Sequence, residues 1–350
     1  MVASNFYPHL RESLIHPMLD GLFAATKRGE IPPEALGETA AKICSYEKWV
    51  PLIAQFEGNG RQIFDLHDRL TELLAHTDVK DATLSDLHTP YEAFFVRFGL
   101  QEQIRLPFDE AAGTFEYVDG AYVAYAPWDE TGAKRLKVGF ATVHSDGRQV
   151  GYPGMFFDLL PHELQMAVPE AIEASMKRRL QDDADDPSDD DNSRALKSYL
   201  RADIEDSAVL MRHCSALLFN CLFYLESIEH HLPEPSPGRD TPPDRVAKWM
   251  NSPAKRYKLN SALTSDGFAV VRLVGGEVDG PPAQASGGIG GGVRVHWRRG
   301  HWRMQPYGQQ RASRRRIWIK PILVGSDLAS GPDASHGHIY VPPDVSNRVQ

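Results

Sequence analysis

Cysteine is scarce in this chain of 350 residues, which contains only Cys44, Cys214 and Cys221. An odd number of widely spaced cysteines in a chain of this length excludes a disulfide framework. The N-terminal residues include no apolar segment of signal-peptide length, and the longest apolar run, around 217–225, is interrupted by Asn220 and is too short to span a bilayer. We therefore expect a cytoplasmic protein that does not associate with membranes.

Signatures of common enzyme classes are also missing. The glycine run at 287–292 is not followed by the Lys-Ser/Thr pair of a phosphate-binding loop. The stretch "PHELQMA" begins like a helical zinc motif, but Met166 stands where a second histidine should follow His162 by four positions. No Rossmann fingerprint, nucleophile elbow or kinase motif set is present. The sequence therefore predicts neither a metal nor a cofactor.

Acidic residues are absent from one segment of an otherwise acidic chain. Residues 294–320 contain nine Lys and Arg but no Asp or Glu, whereas the whole chain has a formal net charge of -9. The remainder therefore carries -18, which is -9 minus +9. Such polarised charge indicates a polyanionic partner, a protein partner, or an acidic partner within the chain, for which the aspartate-rich loop at 181–193 is the candidate.

The periodicity of apolar residues predicts an α+β fold whose blocks form one domain or several. Helical spacing dominates the start and middle of the chain, and alternating strand-like runs dominate the other regions. The predicted blocks are a helical block at 1–90, an antiparallel β meander at 91–157, helices with an acidic disordered loop 181–193 at 158–231, and a β-rich basic region at 244–345.

Three local predictions follow from these patterns. The stretch "RQIFDLHDRLTELLAH" at 61–76 has one apolar face and predicts a helix. Asp119-Gly120 lies between two strand-like runs and predicts a hairpin turn. The segment 194–231 is apolar nearly all round, which predicts a long central core helix.

The basic segment itself is patterned as strands. In "VRVHWR" and "RRIWIK", Val293, Val295, Ile317 and Ile319 fall on one face, which predicts that this face turns toward the core. The opposite face would then display cations and a Trp, a combination that grips phosphates and stacks on bases. We therefore predict nucleic-acid or other polyanion binding, through Arg294, Arg298, Arg303, Arg316, Trp318 and Lys320.

Two other functions are compatible with the same residues. His296 and His301 are candidate catalytic residues of a phosphodiester-cleaving or nucleotide-modifying enzyme, in which arginines stabilise developing charge. Their spacing of five places them on opposite strand faces unless Gly300 breaks the strand. Alternatively, the chain is a protein-interaction module whose basic segment is paired internally.

The C-terminal motif His-Trp-Arg-x-Gly-His-x-Arg, followed by a turn and an Ile-Trp-Ile-x-Pro strand, resembles a motif of uncharacterised proteins from bacteria and their mobile elements. The match covers about thirty residues, and its positions here are His296, Trp297, Arg298, Gly300, His301, Arg303, Gly308, Trp318 and Pro321. The resemblance implies a protein associated with mobile elements, but it implies no activity and no catalytic residues.

Overall fold

The computed structural model of the chain describes residues 25, 28, 30, 48–85, 87–99, 104–109, 114–144, 155–182, 191–238, 241–276, 284–285 and 296–324. About half of the predicted N-terminal helical block, the centre of the predicted acidic loop and Arg294 therefore lie outside the described residues. The predicted α+β class is confirmed, because long helices and mixed sheets both occur.

The described helices and strands follow one another in a mixed order. The helices are α1 (48–58), α2 (Asp68–Ala75), α3 (Val168–Asp182), α4 (Asp191–Ser227), α5 (Pro243–Met250) and α6 (Arg256–Ser265). The strands are β1 (Gln62–Leu66), β2 (Thr77–Asp78), β3 (Ala93–Arg97), β4 (Arg105–Asp109), β5 (Thr114–Pro127), β6 (Lys134–His144), β7 (Phe156–Leu159), β8 (Ser236–Pro237), β9 (Val270–Val274), β10 (Gln284–Ala285), β11 (His296–Arg298), β12 (Gly300–Tyr307), β13 (Ser313–Ile319) and β14 (Ile322–Val324).

Eight of the described strands form the main sheet, in the order β7-β6-β5-β3-β1-β9-β8 with β4 attached to β5. Strand β1 is parallel to both of its neighbours, β3 and β9, while the other pairings are antiparallel. Helix α1 covers one face of this sheet with Trp49, Ile53 and Phe56. Helix α4 covers the other face, with Phe219 and Leu222 among its buried side chains. The sheet is thus enclosed between helices, as burial of both faces of central parallel strands requires.

The predicted central core helix is confirmed as α4. Its apolar stretch Ser207–Ser227 has the length and composition of a membrane-crossing helix, but most of this stretch is buried within the fold. Cys214 and Cys221 lie in it with no exposure, and burial raises the pKa of both thiols. The helix therefore fills the centre of a packed protein, with the main sheet on one side and the C-terminal strands on another.

The prediction of one helix at 61–76 is wrong in its first half. Residues Gln62–Leu66 form the central strand β1, and only Asp68–Ala75 are helical. Ile63 and Phe64 are fully buried on opposite faces of the sheet, so the run is apolar because strand β1 is covered on both faces. The chain changes from strand to helix at His67, whose side chain accepts a hydrogen bond from the backbone N–H of Arg69 and caps α2.

The hairpin predicted at Asp119-Gly120 is also wrong, because both residues lie inside the 14-residue strand β5. The register of β5 against β6 shifts between Val118 and Gly120, which marks a β-bulge. A Cβ atom on Gly120 would lie 2.4 Å from the carbonyl oxygen of Val96. Glycine therefore permits a close approach of β3 to β5 here instead of a reversal of the chain.

The region predicted as β-rich from residue 244 contains helices α5 and α6 as well as strands. Strand β9 joins the main sheet, whereas β11 to β14 form two small sheets with β10 and β2. Trp302 of β12 nevertheless belongs to the same buried cluster as the main-sheet residues Phe64 and Val138. The C-terminal strands are thus packed onto the common core through α4.

Candidate functional site

The basic segment forms an antiparallel hairpin of β12 and β13, which we call the basic hairpin. Strand β12 also pairs in parallel with β2, where Gly300 lies opposite Thr77. The register divides the hairpin into two faces. The inner face carries Trp302, Met304, Arg316 and Trp318, and the outer face carries His301, Arg303, Gln305, Arg315, Ile317 and Ile319.

Trp302 fixes the inner face to the core helix. Its side chain is only 8% exposed, and its ring packs edge-on to Phe223 with 5.6 Å between centroids. Its indole Nε1–H donates to Oδ1 of Asn220 at 2.7 Å. Asn220 in turn donates from Nδ2 to the carbonyl oxygens of Leu74 and Thr77, each at 2.9 Å. One buried amide therefore joins α4, the end of α2, strand β2 and the hairpin.

Trp318 packs beside Trp302 on the same face. The two indoles are stacked with centroids 6.1 Å apart, and Tyr224 meets Trp318 edge-on at 5.5 Å. The Trp318 Nε1–H donates to Oγ1 of Thr77 at 3.0 Å. Both polar and apolar parts of this indole are thus engaged within the protein.

Arg316 is also directed inward. Its side chain is 5% exposed and pairs with the carboxylate of Glu226 on α4. The guanidinium lies 3.9 Å from the ring centroid of Phe223 and donates to the carbonyl oxygen of Thr83 at 3.1 Å. A cation held by a carboxylate, a carbonyl and an aromatic face serves as an internal support of the hairpin.

The predicted orientation of the strand faces is therefore reversed in β13. Arg316 and Trp318, predicted to hold phosphates and stack on bases, face α4, while Ile317 and Ile319, predicted to face the core, lie half-buried on the outer face. Helix α4 offers an aromatic ring to each side chain and a carboxylate to Arg316, while β2 offers the hydroxyl of Thr77 to Trp318. An indole and a guanidinium gain more contact there than two isoleucines would, so tertiary packing decided which face turned inward.

The short strand β11 is positioned by a different contact. Trp297 stacks on His76 at the end of α2, with ring centroids 4.6 Å apart and planes 19° apart. The guanidinium of Arg69 lies 5.8 Å from the Trp297 ring. Burial lowers the pKa of His76, and nearby Arg299 and Arg69 lower it further against the opposing effect of Glu72. Strand β11 pairs with β14, whereas the strand formed by "RRIWIK" pairs with β12.

The remaining cations of the basic hairpin and its flanks are exposed. Arg303 donates to Gln305 at 2.7 Å, Arg315 lies 5.5 Å from the Tyr307 ring and Lys320 lies 5.7 Å from the Trp318 ring. Within the described residues, no carboxylate lies within ion-pair distance of these exposed cations, which are Arg298, Arg303, Arg311, Arg314, Arg315 and Lys320. Arg298, Arg303 and Lys320 among the predicted binding residues are thus on the surface.

The two candidate catalytic histidines lie on consecutive strands. His296 begins β11, and His301 is exposed on the outer face of β12, where its register neighbour in β2 is Asp78. Asp78 accepts a hydrogen bond from the backbone N–H of Lys80. No group of three or more His, Cys, Asp or Glu in the described part of the chain is arranged to hold a metal ion.

A buried ionic cluster that the sequence did not reveal lies at the carboxyl ends of β1 and β3. Arg97 donates from Nη1 to Asp65 at 2.7 Å and from Nε to Asp119 at 3.2 Å. Burial raises the pKa of Asp119 to about 6 although Arg97 opposes the shift, and Asp65 raises it further by repulsion. The signal in the sequence was a charged residue at or next to the end of each of two apolar strands, whereas the approach of Asp119 depends on the pairing of β3 with β5.

Comparison with known protein families identifies the relationship. The model of the AcrVA2-like family, described as "Anti-CRISPR type V subtype A2 family", matches residues 64–326. This range runs from β1 to just beyond β14 and comprises about three quarters of the chain. The chain belongs to the AcrVA2-like family. It is also similar to a crystal structure of AcrVA2, with 15% identity, 90% of this chain and 86% of that chain covered, and a TM-score of 0.36. No curated protein matches the chain.

Membership of the AcrVA2-like family corrects the predicted function. Nucleic-acid or other polyanion binding is wrong as the predicted function, since the family is one of anti-CRISPR proteins, and the enzyme alternative has no counterpart in that description. Of the partners predicted from sequence, a protein partner is the one that fits an anti-CRISPR family.

Proposed function

We propose that this protein inhibits a type V CRISPR system by binding the effector protein of that system. Anti-CRISPR proteins typically bind effector proteins or their complexes. The observation that carries the proposal is the family match, whose range contains the main sheet, the core helix α4 and the basic hairpin. A protein carried by mobile elements, as the C-terminal motif suggests, would benefit from such inhibition, because CRISPR systems attack invading DNA in the cytoplasm.

Plasmid interference tests the proposed function. Cells with a type V CRISPR system directed against a plasmid receive that plasmid with or without expression of this chain. We expect clearly more transformants when the chain is expressed, because an effector that is held by the chain does not clear the plasmid. Cells with a type II system serve as the control and should show no recovery. Unchanged type V interference in the presence of folded protein would disprove inhibition.

Co-purification separates binding from other routes to inhibition. The tagged chain is isolated from cells that express the type V effector, and the retained proteins are identified by mass spectrometry. The proposal requires the effector to be enriched over a mock purification. Inhibition of interference without retention of the effector would show that the protein acts without stable binding to it.

A further inference from the structure

The outer face of the basic hairpin lies on strands whose inner face is anchored to the core. Trp302, Trp318 and Arg316 on the inner face are all held by α4 or by β2. Their hydrogen bonds and ring contacts are satisfied inside the protein, so they fix the hairpin while leaving its other face to solvent. A surface fixed in this way loses little conformational freedom when a partner binds.

The outer face combines apolar and cationic side chains in a fixed register. Arg303 lies opposite Ile317, His301 opposite Ile319, and Gln305 opposite Arg315. The isoleucines are half-buried and the arginines are exposed. Apolar contact area bordered by arginine is the composition of protein interfaces, in which arginine is enriched and lysine is depleted.

The charge of this face contrasts with that of the rest of the chain. Residues 294–320 carry +9, and the remaining residues carry -18. An acidic partner would be repelled by the acidic residues of the rest of the chain and attracted by the arginines of the hairpin, so it would be steered toward this face. Neighbouring arginines on paired strands also repel each other, and an acidic partner would relieve that repulsion.

We propose that the outer face of the basic hairpin is the surface that binds the effector protein, and that it takes an acidic segment with apolar residues. The carboxylates of that segment pair with Arg303 and Arg315, and its apolar side chains pack on Ile317 and Ile319. This assignment rests on the proposed function, because it gives the site at which the chain would bind the effector protein. Charged side chains on an edge strand can also serve only to prevent aggregation. If that were the sole role of the arginines on β13, replacing them would leave partner binding unchanged.

Charge reversal tests the assignment. The double variant Arg303→Glu with Arg315→Glu changes the charge of the outer face without removing an internal support. Lys255→Glu with Lys258→Glu is the matched control, since both lysines are exposed near or on α6 and the net charge changes equally. Binding of the full-length variants to the purified type V effector is measured by calorimetry or surface plasmon resonance at low and moderate salt.

We expect the hairpin variant to bind at least about tenfold more weakly, with a reduced salt dependence, and the control to remain within about threefold of the unmodified chain. Both variants should unfold at the same temperature as the unmodified chain, because none of the four side chains has a carboxylate partner among the described residues.

Four outcomes decide the question. Equal loss of binding in the hairpin variant and the control would show a general charge effect and overturn the assigned surface. Undiminished binding by the hairpin variant would overturn the surface while leaving the proposed function intact. Loss of binding after nuclease treatment of the samples would show that a nucleic acid bridges the two proteins, and would also overturn it. Failure of the unmodified chain to bind the effector would overturn both proposals.

Discussion

Asn220 is the buried group whose loss should have the largest effect on the C-terminal hairpin. This residue is 1% exposed and joins three partners, namely the Trp302 indole and the carbonyl oxygens of Leu74 and Thr77. Asn220→Leu keeps a similar volume but removes all three hydrogen bonds. The Trp302 N–H and two buried carbonyls would then lose their partners in an apolar environment.

The expected cost follows from those three groups. A buried polar group left without its partner costs about 1–3 kcal/mol. Added apolar burial by leucine offsets about 1 kcal/mol. We therefore expect Asn220→Leu to lower the free energy of unfolding by about 4 kcal/mol, a large part of a typical total of about 5–15 kcal/mol.

Urea unfolding followed by far-ultraviolet circular dichroism measures this change. Trp302→Phe removes only one of the three bonds and should cost about 2 kcal/mol. The double variant should cost less than the sum of the two, because both changes break the same indole–amide bond. Ser215→Ala is the matched control, since Ser215 is fully buried in the same helix but its hydroxyl has no hydrogen-bond partner in the described part of the chain. Asn220→Leu with a stability equal to that of Ser215→Ala would refute the reasoning.

Three further predictions concern the hairpin and the buried ionic cluster. Arg316→Ala should lower the free energy of unfolding by about 2 kcal/mol, because it removes the buried guanidinium that pairs with Glu226 and packs on Phe223. Arg315→Ala should change it by less than about 0.5 kcal/mol, and equal costs in urea titrations would contradict the inward placement of Arg316. Asp119 keeps its proton to about pH 6 when folded but has an ordinary pKa of 3.8, so its contribution makes stability fall as pH rises between these values. Asp119→Asn should flatten that part of the stability–pH profile, and an unchanged slope would show that other groups cause it. Gly300→Ala should lower the melting temperature, since a Cβ would lie 2.8 Å from the carbonyl oxygen of Ile319, while Gly58→Ala meets no atom within 4 Å and should be neutral or stabilising.

Some of the fold could be predicted from sequence because the pattern was long and unambiguous. The stretch Ser207–Ser227 of the core helix α4 is rich in apolar residues over several turns, and such a pattern is typical of a buried helix. The strands of the basic hairpin also alternate clearly. Residues 62–66 were predicted as helix but form a strand. A strand that is buried on both faces lacks the alternation of apolar and polar residues that distinguishes a strand from a helix.

The Asp-Gly dipeptide shows why local signals were insufficient elsewhere. Asp119-Gly120 favours a turn, yet the close approach of β3 and the ion pair with Arg97 place it in a bulged strand. Both determinants come from a strand that precedes the dipeptide by more than twenty residues. Nothing in the dipeptide or its flanks encodes that contact.

The sequence by itself determined the class of the fold, the core helix and the composition of the two faces of β13. These depend on the side-chain period and on the identities of neighbouring residues, both of which are local. Only the tertiary structure decided that Arg316 and Trp318 turn inward while Ile317 and Ile319 lie outside. The physical reason is that α4 and β2 supply an aromatic surface, a carboxylate and a hydroxyl at matching positions, and these partners are distant in sequence from the side chains they hold.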